Sequence, residues 1–514
     1  MVHRPRHRAL RRGATLTCAF VLPLVSPAAS AETLREALLQ AYNGNPTITG
    51  QRASLRATDE TVPIARASGL PGANLNGALT ENALQASNNF LNPERSATGT
   101  AQLSVPLFQG GAVRNNVRAA EARVEAGRAN LRGTEASLFT NVVAAYMNVI
   151  RDEAIVGLNT QNVRVLETNL NASRDRFQVG DLTRTDVAQS EARLALARAQ
   201  LQSAEAQLIS SRETYLNIVG SAPGTLDEPP QLPNLPASPD IAVSEALAGN
   251  PQILAAQRAR DASAYDVGVA RAQRLPRVSA VGQGNYFNYL GSVPTAITGT
   301  RVPNAVTTAT AGIQLTLPLF QGGRPAAQVR QAQALQSQAI EQLTATERNV
   351  IAQARSAFAI WRSSQQVIAS SETAVNANKL SLEGVRAENS VGTRTVLDIL
   401  NAEQELLNSQ VTLVTARRDA YVAGFALLAA MGRAEARDLG LEGGALYDPV
   451  ANYKRVRNRI NDFDSDPQPR PVATTTAGIA AQNATVRRPL DPMLDANVDR
   501  SPALTTGADS PNRQ

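Results

Sequence analysis

Apolar and polar residues alternate along residues 101–105 and 308–317 of this chain, which predicts β-strands with one apolar face. Weaker stretches of suitable length precede them, at about residues 71–82 and 277–289. The loops between the paired stretches are polar and rich in turn-forming residues. The pattern therefore predicts four strands per chain, arranged as two pairs.

A helical pattern of unusual length follows each strand pair. Helix formers fill residues 112–178 and 324 to about 389, roughly 100 Å of helix at about 1.5 Å per residue. Apolar residues recur at heptad positions along both runs, and a further helix follows each of them. The heptad residues are Val117, Val124, Leu131, Leu138 and Ala145 in the first run, and Val329, Leu343, Val350 and Ala357 in the second. This spacing predicts two long antiparallel coiled coils.

The two halves of the chain are copies of one another. Residues 105–111 read Val-Pro-Leu-Phe-Gln-Gly-Gly and residues 317–323 read Leu-Pro-Leu-Phe-Gln-Gly-Gly, an offset of 318 − 106 = 212. The same offset relates Gly180 to Gly392, Asp186 to Asp398 and Glu191 to Glu403. Each half therefore reads helix, strand, loop, strand, long helix, turn, long helix.

The repeated motif predicts a corner between strand and helix. Its proline cannot donate to a sheet, and its two glycines tolerate positive backbone angles. The corner residues are Pro106, Gly110 and Gly111 in the first half, and Pro318, Gly322 and Gly323 in the second.

Tight glycine turns at Gly180 and Gly392 join the long helices of each half, with Asp or Thr available to cap the next helix. Arg394 follows the second glycine, and a cation in the first turn of a helix opposes the helix dipole. It therefore requires an acceptor, either Asp398 four residues later or a carboxylate or carbonyl group on a neighbouring hairpin.

Residues 1–31 have the features of a cleaved export signal: a basic start, an apolar run over residues 14–25 and a small-residue cleavage site at Ala29-Ser30-Ala31. They contain five arginines and no acid, so removing them lowers the net charge from +6 to +1. They also contain both histidines and the single cysteine. The mature chain then lacks imidazole and thiol nucleophiles, common zinc ligands and disulfides, and we predict no catalytic site, metal or cofactor.

Beyond residue 31 the sequence has no apolar run long enough for a membrane-spanning helix, so entry into a membrane would require strands. Aromatic residues gather at both ends of the predicted strands, as in the interfacial girdles of membrane barrels. They are Phe90, Tyr286, Phe287 and Tyr289 at one end, and Phe108 and Phe320 at the other. Four strands cannot close a barrel, so several copies would have to share one. The alternative is a soluble antiparallel sheet lying on a helix.

Composition and the repeat divide the chain into six parts. They are a signal peptide (1–31), a first repeat (32–220), a proline-rich crossover segment (221–240), a second repeat (241–432), a C-terminal equatorial segment (433–460) and a tail rich in Asp, Pro and Thr that is predicted to be disordered (461–514).

Four features in combination resemble the TolC family of outer-membrane efflux channels, over roughly residues 33–450. They are the Val-Gly-Thr-Arg-Thr turn at residues 391–395, its Asp-bearing counterpart in the first half, the doubled corner and the Asn-Pro helix starts. The resemblance implies an α+β membrane protein, in which three chains of four strands form a 12-stranded β-barrel. Their antiparallel helices continue it as a 12-helix periplasmic α-barrel.

The resemblance also implies a gate at the far tip of the helices. The matching positions are Thr185, Asp186, Asn389 and Arg394 for its closing contacts, and Asp398 and Asn401 for acidic rings that constrict the pore. Asn389 replaces a tyrosine and Asn401 replaces an aspartate of the best-known member. We therefore expect a weaker acidic ring, formed by Asp398 alone.

As implied partners, the resemblance gives two further copies of the chain, a periplasmic adaptor (membrane fusion protein), an inner-membrane RND or ABC transporter and outer-membrane lipid, with no nucleic acid. Drug efflux and type I protein secretion use channels of the same pattern. The alternative function is a periplasmic coiled-coil adaptor or scaffold that does not span the membrane. Adaptors have helical hairpins but lack duplicated strand pairs.

Overall fold

The computed structural model describes residues 31–84, 93–292, 296–297, 300–301, 303–441 and 446–494. Phe90, the predicted signal peptide apart from its last residue and the end of the chain from residue 495 lie outside these ranges.

Each half begins with short helices, passes through strands and ends in a helical hairpin. The first half contains α1 (Leu34–Gly44), α2 (Pro46–Asp59), α3 (Thr61–Ala67), β1 (Gly72–Glu81), β2 (Arg95–Phe108), α4 (Ala112–Gln178) and α5 (Arg184–Val219). The second contains α6 (Pro239–Gly249), α7 (Pro251–Ala272), β3 (Arg277–Asn288), β4 (Ala296–Ile297), β5 (Thr300–Arg301), β6 (Ala305–Thr316), α8 (Arg324–Ser390) and α9 (Val396–Ala430), and α10 (Ala451–Val456) follows. The alternation pattern does not predict the short β4–β5 ribbon.

The four long strands form one antiparallel sheet in the order β1-β2-β3-β6. Its register places Leu75 opposite Ala101 and Leu103 opposite Gly282, so apolar residues of neighbouring strands share a face. Leu75 and Leu79 on that face are each 82% exposed in the single chain. The other face carries polar residues, among them Asn76, Gln102, Gln283 and Thr310.

Both edges of this sheet are open within the described residues, since β1 and β6 each pair with one neighbour only. Their outward N–H and C=O groups therefore have no ladder partner in the single chain. The sheet is a fragment that requires further strands before it can sit in lipid.

The aromatic residues near the loops do not all lie on one face, as a girdle of lipid-facing rings would require. Tyr286 lies on the apolar face, opposite Gly99 and Thr307. Phe287 is on the polar face because successive strand residues alternate, and Tyr289 packs edge-on against it at 4.7 Å between ring centroids. At the other end of the strands, Phe108 and Phe320 are 50% and 90% exposed.

The helical hairpins α4/α5 and α8/α9 lie side by side, with α4 against α9. Both α4 and α8 are 67 residues long. The predicted heptad residues Val124, Leu131, Leu138 and Ala145 of α4 are buried. Among the described residues, no helix combines the length and apolar character needed to cross a membrane.

The asparagine of each Asn-Pro motif ties the start of one helix to the end of another. Asn45 caps α2, because its side-chain oxygen accepts from the Thr47 amide at 2.8 Å. Its side-chain nitrogen donates to the carbonyl of Ile218, at the end of α5, also at 2.8 Å. Asn250 caps α7 and reaches Ala430, at the end of α9, in the same way.

The described end of the chain differs from the predicted disordered tail. Residues 482–494 pack along the helical hairpins, and Leu494 is 3% exposed. The polar composition of these residues does not predict this packing, because most of the contacts are made by main-chain groups.

Candidate gate at the hairpin tips

The turn between α4 and α5 is closed by a left-handed glycine and a reciprocal cap. Gly180 has a φ of +85°. Thr183 accepts from the Asp186 amide at 3.3 Å, and the Asp186 carboxylate accepts from the Thr183 amide at 2.9 Å and its hydroxyl at 2.7 Å. These bonds from Thr183 lower the pKa of Asp186 below its ordinary 3.8.

The turn between α8 and α9 repeats this geometry. Gly392 has a φ of +83°, and Thr395 and Asp398 form the same reciprocal cap. The main-chain and hydroxyl bonds from Thr395 lower the pKa of Asp398. Asp186 and Asp398 therefore remain ionised at neutral pH and carry a capping role in the single chain.

Arg394 has an ion-pair partner that the sequence analysis missed. Its Nε donates to the Glu388 carboxylate at 2.7 Å, and this bond and charge raise the pKa of Arg394. Asn389 supports the same turn, since its side-chain nitrogen donates to the Arg394 carbonyl at 2.8 Å. Within the described single chain, the structure thus brings Asn389 and Arg394 together and pairs Arg394 with Glu388 instead of Asp398.

The first turn carries a comparable ion pair with its charges in the opposite order. Arg176, at the end of α4, donates to Asp181 within the turn at 2.7 Å. In the second turn the acid, Glu388, comes before the glycine and the base, Arg394, after it.

Asn401 connects the two hairpins through Arg193, a residue that the predicted gate does not include. Its side-chain oxygen on α9 accepts from Arg193 on α5 at 2.7 Å. Thr185 is exposed at the start of α5. In the part of the chain that the structure describes, Asp186 bonds to Thr183 and forms no ion pair with Arg394.

Ion pairs also join the two helices of each hairpin at equivalent positions. Arg174 contacts Glu191 at 2.6 Å in the first hairpin, and Arg386 contacts Glu403 in the second. The second pair is the more buried, with side-chain exposures of 13% and 9% against 51% for both partners of the first.

The corner glycines lie between the strands and the long helices, with φ values from +59° to +81° for Gly110, Gly111, Gly322 and Gly323. A Cβ at Gly110 would also lie only 2.7 Å from the Leu275 Cβ. Pro106 stands where the β2–β3 register shifts, and Pro318 lies just beyond β6. Over the described residues, no group of His, Cys, Asp and Glu is arranged to hold a metal ion.

A family model described as "Outer membrane efflux protein" matches residues 37–221 and 242–433. The chain belongs to the outer membrane efflux protein family. It is 35% identical to the outer membrane efflux protein BepC of Brucella suis biovar 1 over 438 residues, covering 85% of this chain and 93% of BepC. It is 26% identical to the outer membrane protein TolC of Escherichia coli K12 over 468 residues, covering 88% and 94%.

Solved structures of CusC and CmeC have the same fold. CusC aligns with a TM-score of 0.67 at 18% identity, covering 78% of this chain and 92% of that one. The CmeC outer membrane channel of Campylobacter jejuni aligns with a TM-score of 0.66 at 18% identity, covering 89% and 98%. The predicted family and fold class are confirmed, and an outer-membrane efflux channel is favoured over the periplasmic adaptor.

Proposed function

We propose that three copies of this chain form an exit duct that docks on a periplasmic adaptor and an inner-membrane RND or ABC transporter. The observation that carries the proposal is the sheet, with one exposed apolar face, one polar face and two open edges. In lipid, each unpaired main-chain group costs several kcal/mol (about 2–7). Pairing β6 of one copy with β1 of the next removes all such edges.

The polar face would then line a water-filled lumen, and the apolar face would contact outer-membrane lipid. The corners at Gly110-Gly111 and Gly322-Gly323 carry each strand pair directly into a helical hairpin, so the lumen would continue between the helices. A short conduit would need no helices of this length. The length supports a duct that crosses much of the periplasm.

We propose that the hairpin tips form the gate of this duct. The candidate residues are Thr185, Asp186, Asn389, Arg394, Asp398 and Asn401, to which the geometry adds Glu388 and Arg193. Exposed ion pairs are weak because water and salt screen them. Arg394 could therefore exchange Glu388 for an acceptor on a neighbouring chain as the tips close or separate.

The energy for transport would come from the pump, since this protein is proposed to be a passive conduit and not an enzyme. Its cargo would follow from the pump as well. One similar protein is named for alkaline protease secretion in Pseudomonas aeruginosa, another for fusaric acid resistance in Burkholderia cepacia. Cargoes this different are compatible with one architecture if the duct itself does not select them. Export would use residues 1–31 as a cleaved signal.

Fractionation followed by planar-bilayer recording tests the proposal. The full-length protein should appear in the outer membrane fraction, cross-link as a trimer and give discrete current steps in a bilayer. Mass measurement of the mature chain would locate the signal cleavage site. Recovery as a stable monomer in the soluble periplasm, with no bilayer current, would contradict the channel and favour the scaffold alternative.

A further inference from the structure

Residues 482–494, which we call the C-terminal strap, lie across both helical hairpins in an irregular, extended path. The family model ends at residue 433, so the strap lies outside the matched region. Its first half contacts the α4/α5 hairpin, and also the crossover segment through Arg487 and Arg488. Its second half contacts the α8/α9 hairpin.

The first half is held by a buried ion pair that binds main-chain groups. Arg212 of α5 and Glu153 of α4 are 1% and 3% exposed and lie 3.2 Å apart. Arg212 donates to the carbonyls of Asn483 at 2.5 Å and Thr485 at 2.8 Å. Glu153 accepts from the main-chain amide of Arg487. A buried pair of this kind needs its remaining groups satisfied, and the strap supplies acceptors for both Arg212 Nη atoms and a donor for Glu153.

The second half is held by side chains of the other hairpin. Lys379 of α8 donates to the Met493 carbonyl at 2.6 Å, and Gln410 of α9 donates to the Leu494 carbonyl at 2.6 Å. Arg417 of α9 pairs with Asp491 at 2.6 Å. The Leu494 side chain enters an apolar cluster that α4, α8 and α9 build between them.

Between the two halves, the surface of α4 leaves room for the strap. Leu490 lies over Gly157, where an added Cβ would come within 3.1 Å of the leucine Cδ2. A cavity of about 740 Å³ extends beside Leu490 and Pro492, between the hairpins and the crossover segment. The hairpins are therefore not fully packed against each other here, and the strap bridges them.

We propose that these two half-sites form one binding site for an extended peptide, occupied by the protein's own C-terminal strap, which braces the hairpins against separation. From Thr485 to Met493 the strap has eight residue steps, at most about 26–29 Å when fully extended. Its reach is therefore limited, and a large separation of α4/α5 from α8/α9 must detach one half. The brace rests on the proposed channel function, since it restrains the movement that would open the duct.

Cysteine cross-linking tests whether the strap occupies its site. Cys18 is the only cysteine in the sequence, so the background is simple to control with Cys18→Ser. The full-length Gly157→Cys/Leu490→Cys variant should form an intramolecular disulfide on mild oxidation, seen as a loss of two hydrogens in the intact mass. Either single substitution should form none. Failure of the pair to cross-link, in protein that assembles as the parent does, would overturn the binding site.

Bilayer recording tests the brace. Leu490→Asp/Leu494→Asp should release the strap and raise the conductance several-fold, because carboxylates are excluded from the apolar cluster. The matched control is Val472→Asp/Ile479→Asp, whose side chains are 69% and 37% exposed and lie outside the strap, and it should leave the conductance unchanged. The same disulfide should also hold the gate shut. When Arg394→Ala and Asp186→Ala are added to the oxidised Gly157→Cys/Leu490→Cys variant, their increase in conductance should be suppressed. A reductant should restore that increase.

Two results would separate the brace from the channel. If Arg394→Ala/Asp186→Ala raises the conductance while strap release changes nothing, the brace is wrong and the channel stands. If neither the parent protein nor any variant conducts, the proposed channel function fails and the brace fails with it.

Discussion

The side chain of Asn45 donates a hydrogen bond to the main-chain carbonyl of Ile218 over 2.8 Å, and so joins two helices that lie far apart in the sequence. Asn250 makes the same joint with Ala430 at 2.9 Å in the second half. The side-chain amide of Asn45 accepts from a main-chain N–H at the start of α2 and donates to a main-chain carbonyl at the end of α5. The start of α2 is thereby tied to the end of α5, and the start of α7 to the end of α9.

Replacing these asparagines should weaken the two joints. We expect Asn45→Ala or Asn250→Ala to cost about 1–3 kcal/mol each, from a lost cap and an unsatisfied carbonyl. Asn45→Asp is the matched variant, because it keeps the cap acceptor but loses the donor to Ile218. Thermal unfolding followed by circular dichroism should rank the parent protein above both variants. Equal midpoints for the parent and Asn45→Ala would show that the joint does not contribute.

The two faces of β1 offer a test at adjacent residues. Leu75→Arg places a charge on the proposed lipid face and should cost about 2–4 kcal/mol if the residue lies near the bilayer midplane. Asn76→Arg, one residue along the same strand, faces the proposed lumen and should cost much less. The yield and thermal stability of outer-membrane trimers measure both effects. A larger loss for Asn76→Arg would reverse the assignment of the faces.

The hairpin tips should control the current through the duct. Arg394→Ala combined with Asp186→Ala removes one turn ion pair and one helix cap, so we expect a higher single-channel conductance. Arg184→Ala serves as the control, because it removes an exposed arginine from the same tip without touching either interaction. Unchanged currents in the double variant would rule out these residues as the gate.

Low pH should weaken the two hairpin turns only where the capping carboxylates of Asp186 and Asp398 become protonated. The pKa values of Asp186 and Asp398 lie below the ordinary 3.8 in the folded protein, so their stabilisation is present above that value. It is lost as the pH falls through the lowered pKa values. Conductance should therefore stay constant from neutral pH down to about 4 and rise below it.

The variant Asp398→Asn checks the origin of this acid response. An amide cannot titrate, so part of the rise at low pH should disappear. The rise that remains should come from Asp186, whose pKa is also lowered. A rise that begins near pH 6 would point to groups other than these carboxylates.

The long elements of the fold could be predicted because each depends on a local period. Alternation marks β6, and heptads mark the buried side of α4 at residues such as Leu131 and Leu138. The offset between the two halves then relates each predicted element to an equivalent one in the other half, and this supports both predictions. The limits of the strands are less clear where glycine and asparagine weaken the alternation, as in β1.

The contacts of the candidate gate are harder to predict because they cross a turn or a helix interface. Glu388 precedes its turn by a few residues, and only the path of the chain brings it to Arg394. Arg193 reaches Asn401 from 208 residues away. The sequence of the C-terminal strap has no periodic pattern. Arg212 and Glu153 bind its main-chain groups, so its side chains do not need to follow one.

The reversed order of Arg176–Asp181 and Glu388–Arg394 gives the two tips of one chain opposite polarity. In the proposed trimer, hairpins of the two kinds would alternate around the rim, so its electrostatic pattern would repeat every 120° and not every 60°. A partner whose charged hairpins are all identical would be complementary to only one of the two kinds of tip, which is every second hairpin of the rim. This preference would fix the rotational position of the partner on the duct.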